Sequence, residues 1–405
     1  MTETPGASQF AAVDATLGYL YQIHSALLWT LQRLRADPDF LVSVETLDDV
    51  TFETAGGEVT ELLQTKHHRN STASLTDASP DLWKTLRIWF EGHKSGEISQ
   101  RTNLYLVTTG NASNDTAASR LRGEDRDVQR AQQALDATAS SSTSKANRRA
   151  YEAYLSVSPA RRATVLGKVV VIDASPTSLD LDDELRQEVY WATTKEYHEA
   201  FLDRLEGWWL RRVLRQLTDA PQDRIGSVEL EAQMSDLREQ FKQDALPIDD
   251  DLLEFKLDDA TRAAHDRSTF VMQLQIIKAG NRRIAAAIRD YYRAFEQRSR
   301  WLREDLVIRL DLDKYEKRLV EEWELVFEGM RDELSDDAVD EIQERAARTV
   351  LQWAETATIA IRPNVTEPFV SRGSLHMLAD DARIGWHPEF RDTLASLLGS
   401  GEGAA

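Results

Sequence analysis

Residues 42–68 constrain the fold more than any other part of the chain, because their pattern predicts three short strands joined by tight turns. Val42–Glu45 is an extended run, and Asp49–Thr54 alternates apolar with polar residues. Val59–Lys66 follows across the turn Ala55–Glu58, whose two glycines suit a hairpin because glycine adopts positive φ without steric cost. The stretch therefore predicts a β-meander.

The meander also predicts that polar side chains gather at one end of its strands. Residues two apart in a strand share a face, so Gln64 and Lys66 point the same way. Asp49 begins the neighbouring strand and faces that pair. Phosphodiester hydrolysis needs a hard cation held by oxygen ligands, and positive charge near the phosphate. An acid opposite an amide–x–lysine pair is the minimal layout of a metal-dependent nuclease.

Each residue type suits a part of that chemistry. Asp49 is the expected ligand of Mg²⁺ or Mn²⁺, and Gln64 offers a carbonyl oxygen where a carboxylate is more usual. Lys66 is expected to orient the attacking water or to stabilise the pentavalent transition state. Glu45 or Asp48 supplies a second carboxylate, and we prefer Asp49 to Asp48 as the main ligand because it directly precedes the apolar strand residue.

The same residues also permit a purely structural interpretation, since an acid and a lysine near strand ends are most often solvated. Against it, Gln64 and Lys66 follow Leu62–Leu63 closely, which is a poor place for polar residues without a role. His67–His68 are candidate phosphate contacts, although such a pair is more often at the surface. They have no third ligand at helical or hairpin spacing, so they do not predict a zinc site.

The rest of the chain predicts two domains of different character. Residues 1–13 are expected to be disordered. Leucine recurs at helical spacing in Ala15–Leu34, which predicts a helix. If this helix packs beside the meander, Gln22 reaches the cleft. Asn103–Thr109 and Lys168–Asp173 predict buried strands.

Beyond the middle of the chain the pattern is almost entirely helical. We therefore expect an α/β (α+β) catalytic domain at residues 14–218 and a mostly α-helical interaction domain at residues 219–405.

Composition limits the partners. A net charge of −20 argues against DNA binding over the whole surface, but not against an enzyme that grips DNA in one cleft or through a partner. The absence of cysteine excludes disulfides and thiolate zinc sites and fits a reducing cytoplasm. No run of about 18 apolar residues and no leader-like N-terminus is present, so we expect a cytoplasmic protein without a membrane partner.

Four motifs in the first 110 residues resemble bacterial antiphage endonucleases of the PD-(D/E)xK superfamily. The motifs are Gly18–Gln22, Val44–Val50, Leu63–His67 and Leu82–Leu86. The similarity is greatest to the double-stranded DNA endonuclease domain of CBASS effectors and Lamassu-type systems. It implies a restriction-endonuclease-like fold. The active site that it implies consists of Gln22, Asp49, Gln64 and Lys66. No domain for a cyclic oligonucleotide is recognisable, which makes activation by a nucleotide messenger doubtful.

A second resemblance lies near the C-terminus. Arg372–Asp380 and Gly385–Pro388 are similar to the C-terminal domain of ABC three-component systems, whose effector docks on an SMC-like ABC ATPase and a small middle subunit. The chain has no Gly-x4-Gly-Lys-Ser/Thr sequence, so an ATP-driven step requires such a partner. Together the two resemblances imply the nuclease subunit of a Lamassu-type complex.

We therefore expect a defence effector against phages or plasmids that hydrolyses double-stranded DNA with Mg²⁺ or Mn²⁺. We also expect control by the ATPase, and a homo-oligomer in the active state because one acidic subunit grips DNA poorly. The alternative is a non-catalytic adaptor with a degenerate nuclease fold. The intact Gln64-x-Lys66 pair with its acid favours the enzyme.

Overall fold

A computed structural model describes residues 6–66, 74–124, 126–218, 223–335 and 337–399 of the chain. It divides into two compact units, residues 1–236 and 237–405. The boundary that the sequence predicts, between residues 218 and 219, precedes a short strand that pairs with the sheet of the first unit. In the part of the chain that the structure describes, no helix is both long and apolar enough to cross a membrane.

The first unit contains a six-stranded mixed sheet in the order β5-β4-β3-β2-β1-β6. The strands are β1 Phe40–Val44, β2 Val50–Thr54, β3 Val59–Lys66, β4 Asn103–Thr108, β5 Val169–Ile172 and β6 Ile225–Gly226. The predicted meander is present as antiparallel β1, β2 and β3. β4 and β5 continue the sheet in parallel, and β6 adds an antiparallel edge beside β1.

Nine α-helices of the described chain surround or follow this sheet. They are α1 Gly6–Leu34, α2 Pro80–Ser95, α3 Ala117–Arg120, α4 Val128–Ser141, α5 Arg148–Leu155, α6 Pro159–Leu166, α7 Ser178–Glu188, α8 His198–Thr218 and α9 Ser227–Gln240. α1 begins at Gly6, so residues 6–13, which the sequence predicts to be disordered, are helical. Ala11 and Ala12 in this segment are strong helix formers. Residues 1–5 lie outside the described residues.

The local sequence of α2 determines where this helix begins and ends. Pro80 occupies its first turn, where a missing amide donor costs nothing, and Gly96 ends it at φ 87°. Its apolar face is fully buried, and Trp83 makes edge-to-face contacts with Tyr151 and Tyr154 of α5. This packing fixes α2 against β4 and the helices that follow it.

The described residues of the second unit form helices and the segments that connect them, without a strand. Its helices are α10 Asp250–Leu253, α11 Asp259–His265, α12 Thr269–Ile276, α13 Asn281–Arg303, α14 Arg309–Asp332, α15 Asp340–Thr356, α16 Pro368–Asp380 and α17 Phe390–Gly399. Tyr315, Leu319, Trp323 and Phe327 form one stripe of α14 and are buried in a shared apolar core. α/β and helical units therefore follow one another as the sequence predicts, while a restriction-endonuclease-like topology for the first unit stays a prediction.

Candidate active site

A cleft of about 390 Å³ lies at the end of the meander, between the β1–β2 loop, β3, α1 and α2. The residues that line it are Gln22, Glu45, Thr46, Leu47, Asp48, Asp49, Gln64, Lys66, Lys84 and Ile88. All five site residues that the sequence predicts are among them: Gln22, Glu45, Asp49, Gln64 and Lys66. The structure thus brings these residues together, and their catalytic roles stay predictions.

The loop between β1 and β2 has a conformation that few sequences adopt. Glu45 has φ 53°, in the left-handed region, and its amide donates to the carbonyl of Asp49 at 3.0 Å. For a residue with a Cβ, this conformation costs about 1 kcal/mol or more. The loop closes tightly between paired residues Val44 and Val50 and presents Glu45, Asp48 and Asp49 to one cleft.

A buried glutamine holds the strand that leads into this loop. Gln216 of α8 accepts a hydrogen bond from the Val44 amide at 3.1 Å and donates one to the Val44 carbonyl at 2.9 Å. It is only 2% exposed, so these bonds replace those that a neighbouring strand or water would make. Gln216 therefore fixes the backbone directly before Glu45.

The two adjacent aspartates differ in the use of their oxygens. Both oxygens of Asp48 accept hydrogen bonds, one from the Trp89 indole at 2.7 Å and one from the Asp49 amide at 3.1 Å. Oδ2 of Asp49 accepts from the amide and the hydroxyl of Thr65 at 2.6 and 2.7 Å. No described residue donates to Oδ1 of Asp49. Asp49 therefore retains an oxygen for a ligand, and Asp48 is engaged on both sides.

Burial and mutual repulsion perturb the acids of the loop. Burial raises the pKa of Asp48 to about 7, with a further contribution from the Asp49 charge, although the Trp89 indole and the Asp49 amide oppose the shift. The pKa of Glu45 is also raised, first by burial and then by Asp49, while a hydrogen bond from Gln22 lowers it. The cleft therefore holds three carboxyl groups close together.

Two lysines face these acids. Burial lowers the pKa of Lys66, and the nearby Lys84 ammonium lowers it further, while the charge of Asp49 raises it. Lys84 is an exposed residue of α2 and lines the same cleft. The cleft thus combines the oxygen atoms of the acidic loop with two ammonium groups.

Sequence reasoning assigned no role to three residues that shape this site: Lys84, Trp89 and Gln216. Lys84 and Trp89 lie five residues apart on α2, so only the packing of that helix reveals that both meet the acidic loop. Gln216 lies 172 residues from Val44 in the chain, and no local pattern links the two. His67 and His68 lie outside the described residues.

Comparisons with known proteins bear mainly on the second unit. Residues 270–394 match the family model of C-terminal domain 7 of the ABC-three component (ABC-3C) systems. The matched segment includes both C-terminal motifs, Arg372–Asp380 and Gly385–Pro388. The predicted ABC three-component domain is thereby confirmed for this segment. The match covers less than half of the chain and therefore describes this segment alone.

The other comparisons add little. No curated protein matches the sequence. Among solved structures the chain is similar to one described as "Structure of Moraxella osloensis Cap4 SAVED/CARF-domain containing receptor", with 13% identity and a TM-score of 0.34 over 70% of this chain and 68% of that one. A similarity of this extent supports no statement about fold or function.

Proposed function

We propose that the first unit is a metal-dependent endonuclease for double-stranded DNA, and that the chain is a defence effector of an ABC three-component system of the Lamassu type. The observation that carries the proposal is the convergence of Gln22, Glu45, Asp49, Gln64 and Lys66 on one cleft. These residues come from α1, the β1–β2 loop and β3. The resemblance implies four of them, and Glu45 is one of the two candidates, with Asp48, for a second carboxylate.

The donor set fits a hard divalent cation. Asp49 Oδ1, the Glu45 carboxylate and the Gln64 amide oxygen would hold Mg²⁺ or Mn²⁺, which prefer oxygen ligands. When bound, such an ion supplies Lewis acidity at the phosphate and lowers the pKa of a coordinated water. Thr65 holds the other oxygen of Asp49, and so orients the carboxylate toward the cleft.

The remaining residues serve binding and charge stabilisation. Lys66 lies among the acids and is positioned to stabilise negative charge that develops on the phosphate. Lys84 is exposed at the mouth of the cleft and suits a contact with the DNA backbone. The hydrogen bond from Trp89 occupies one oxygen of Asp48, so Asp48 is assigned neither metal binding nor charge stabilisation.

The charge of the chain supports control by partners. With a net charge of −20, one subunit attracts DNA weakly, and two lysines at one cleft do not offset this. We propose that an SMC-like ABC ATPase and a small middle subunit bind the matched C-terminal segment and control the nuclease. A homo-oligomer of the chain then presents several clefts to one duplex.

The test of the activity is plasmid cleavage by the purified chain and its complex, with Mg²⁺ or Mn²⁺. Lys66→Ala and Asp49→Asn should lower the rate more than about 100-fold, since loss of one charge-stabilising group costs that much. Lys94→Ala changes an exposed lysine at the far end of α2 and should retain the full rate.

Equal cleavage by wild type and Lys66→Ala would refute the assignment. If neither the chain nor the complex cleaves DNA although the chain binds it, the non-catalytic adaptor is correct instead. Retained melting temperatures of the variants show that any loss of rate is not a loss of folding.

A further inference from the structure

A second cluster of ligand-type side chains lies in the first unit, away from the residues that line the cleft. His24 of α1, Asp182 of α7 and Glu206 of α8 each offer one ligand atom, and these atoms lie within 4.8 Å of one another. All three side chains are half-buried. Residues two apart in a helix point about 200° apart, so His24 faces away from the side of α1 on which Gln22 meets the cleft.

One of these groups has an unsatisfied atom. Oε1 of Glu206 is a buried atom with no hydrogen-bond partner among the described residues. Buried polar atoms are rarely left in this state, because each lost hydrogen bond costs free energy. An unsatisfied carboxylate oxygen that converges with an imidazole and a second carboxylate suits a bound cation.

The surroundings add negative charge. Burial raises the pKa of Glu206 to about 7, with further contributions from the charges of Asp182, Asp203 and Glu199, while Arg186 opposes the shift. The nearby cation, Arg186, is already engaged by both oxygens of Glu199 at 2.6 and 3.1 Å and by Asp183 at 2.9 Å. An added cation would relieve this repulsion.

Two hydrogen bonds join α1 to α8 and to the segment before α7, close to the three residues. The Trp209 indole of α8 donates to the Ile23 carbonyl of α1 at 2.9 Å, next to His24. The Tyr21 hydroxyl donates to the Pro176 carbonyl at 3.0 Å, just before α7. Zinc ligands lie about 2.0–2.2 Å from the ion, hence roughly 3–4 Å from each other, so small side-chain shifts would complete the site.

We propose that His24, Asp182 and Glu206 form a second metal site, selective for Zn²⁺ or a similar first-row divalent ion and distinct from the Mg²⁺-type site of the cleft. One imidazole with two carboxylates favours such an ion over Mg²⁺, which prefers oxygen alone. The bound ion joins α1, α7 and α8, and thereby fixes the helix that carries Gln22. The proposal does not depend on nuclease activity.

The test uses the full chain with Asp49→Asn, which removes a ligand of the cleft. The protein is stripped with EDTA, and titrations with Zn²⁺, with Co²⁺ as a coloured probe, and with Mg²⁺ follow. We expect one Zn²⁺ per chain, visible Co²⁺ absorption of a site with a nitrogen ligand, a raised melting temperature, and no comparable effect of Mg²⁺.

Three variants in that background locate the site. Asp182→Asn, His24→Ala and Glu206→Gln should each weaken Zn²⁺ binding by more than about 100-fold, the upper end of the loss from a supporting residue alone. Glu152→Gln replaces a carboxylate with an amide at an exposed position of α5, away from the cluster, and should retain the affinity.

Zn²⁺ binding that all three variants retain, or its absence from the parent chain, would overturn the proposal. Glu206→Gln keeps the size of the side chain and removes only its charge, so it stays informative if His24→Ala unfolds. The melting temperature of each metal-free variant shows whether a loss of Zn²⁺ affinity is caused by misfolding.

Discussion

Asp48 is a buried carboxyl group whose contribution to stability depends on its protonation. Its pKa lies at about 7 in the folded chain, against an ordinary value of 3.8. A raised folded pKa means that the stability from this group is fully present below the unfolded pKa and is lost as the pH rises through 7. The folded state therefore loses stability as the pH rises from 3.8 to about 7.

Substitution of Asp48 tests this. From pH 5 to pH 8 the Asp48→Asn variant should gain about 2–3 kcal/mol in free energy of unfolding relative to wild type, because the amide that replaces the carboxyl group does not titrate. Urea unfolding in EDTA at both pH values measures the difference. Asp39→Asn removes an exposed carboxylate and should change the stability little at either pH. A wild-type-like pH dependence of Asp48→Asn would show that Asp48 is not the source.

The sequence predicted which of the candidate residues lie close together where neighbours in the chain decide their place, while their roles stay predictions. Gln64 and Lys66 share a strand, and Asp49 lies one hairpin away, so alternation alone brings them together. It could not reveal that Asp48 is held by Trp89, which lies 41 residues away, nor that Glu45 adopts a left-handed conformation. Both depend on packing between elements, which no local pattern encodes.

Among the elements, α13 and α16 of the second unit approach each other closely at Gly373. A Cβ built there would lie 2.0 Å from the Asp290 carbonyl oxygen and 2.5 Å from the Ala294 Cβ. Backbone atoms cannot move aside as a flexible side chain can, so glycine is required by space and not by its torsion angles. The motif that contains Gly373 thus includes a packing contact.

Gly373→Ala should lower the free energy of unfolding by about 3 kcal/mol, because the helices must separate. Gly329→Ala is the matched control: it lies in α14 with nothing within 4 Å of the added methyl group. Alanine there should raise stability by about 0.5–1 kcal/mol, since it restricts the unfolded chain and suits a helix. Thermal or urea unfolding distinguishes the two, and changes of the same sign would contradict the packing argument.

Strands with strong local patterns were predicted nearly to the residue. β3 has the predicted limits, and β4 ends one residue before the predicted end. β6 was missed, because two residues carry no alternation and owe their strand conformation to pairing with Leu41 and Val42.

At the scale of the molecule, β6 decides where the first unit ends. Ile225 is fully buried, and Ser227 accepts from the Phe40 amide at 3.2 Å and donates to the Pro38 carbonyl at 2.7 Å. A fragment that stops at the domain boundary predicted from the sequence lacks all of these contacts. The division of the chain at residue 236 keeps them.

A fragment of residues 1–220 should therefore be less stable than one of residues 1–240 by about 3–5 kcal/mol, the sum of one buried isoleucine and several hydrogen bonds. Urea unfolding followed by circular dichroism measures both. The substitution Ile225→Asp in the longer fragment is a control that should reproduce the loss. Equal midpoints of the two fragments would show that the sheet does not need β6.

The two hydrogen bonds between Gln216 and the Val44 backbone have a consequence for synthesis on the ribosome. Gln216 emerges long after the acidic loop that it orders, and the edge of β1 stays uncovered until β6 follows. A nascent or truncated chain therefore carries every acid and lysine of the cleft but not the scaffold that holds them in place. If the first unit is the nuclease that we propose, this order of events delays its activity until the unit is complete.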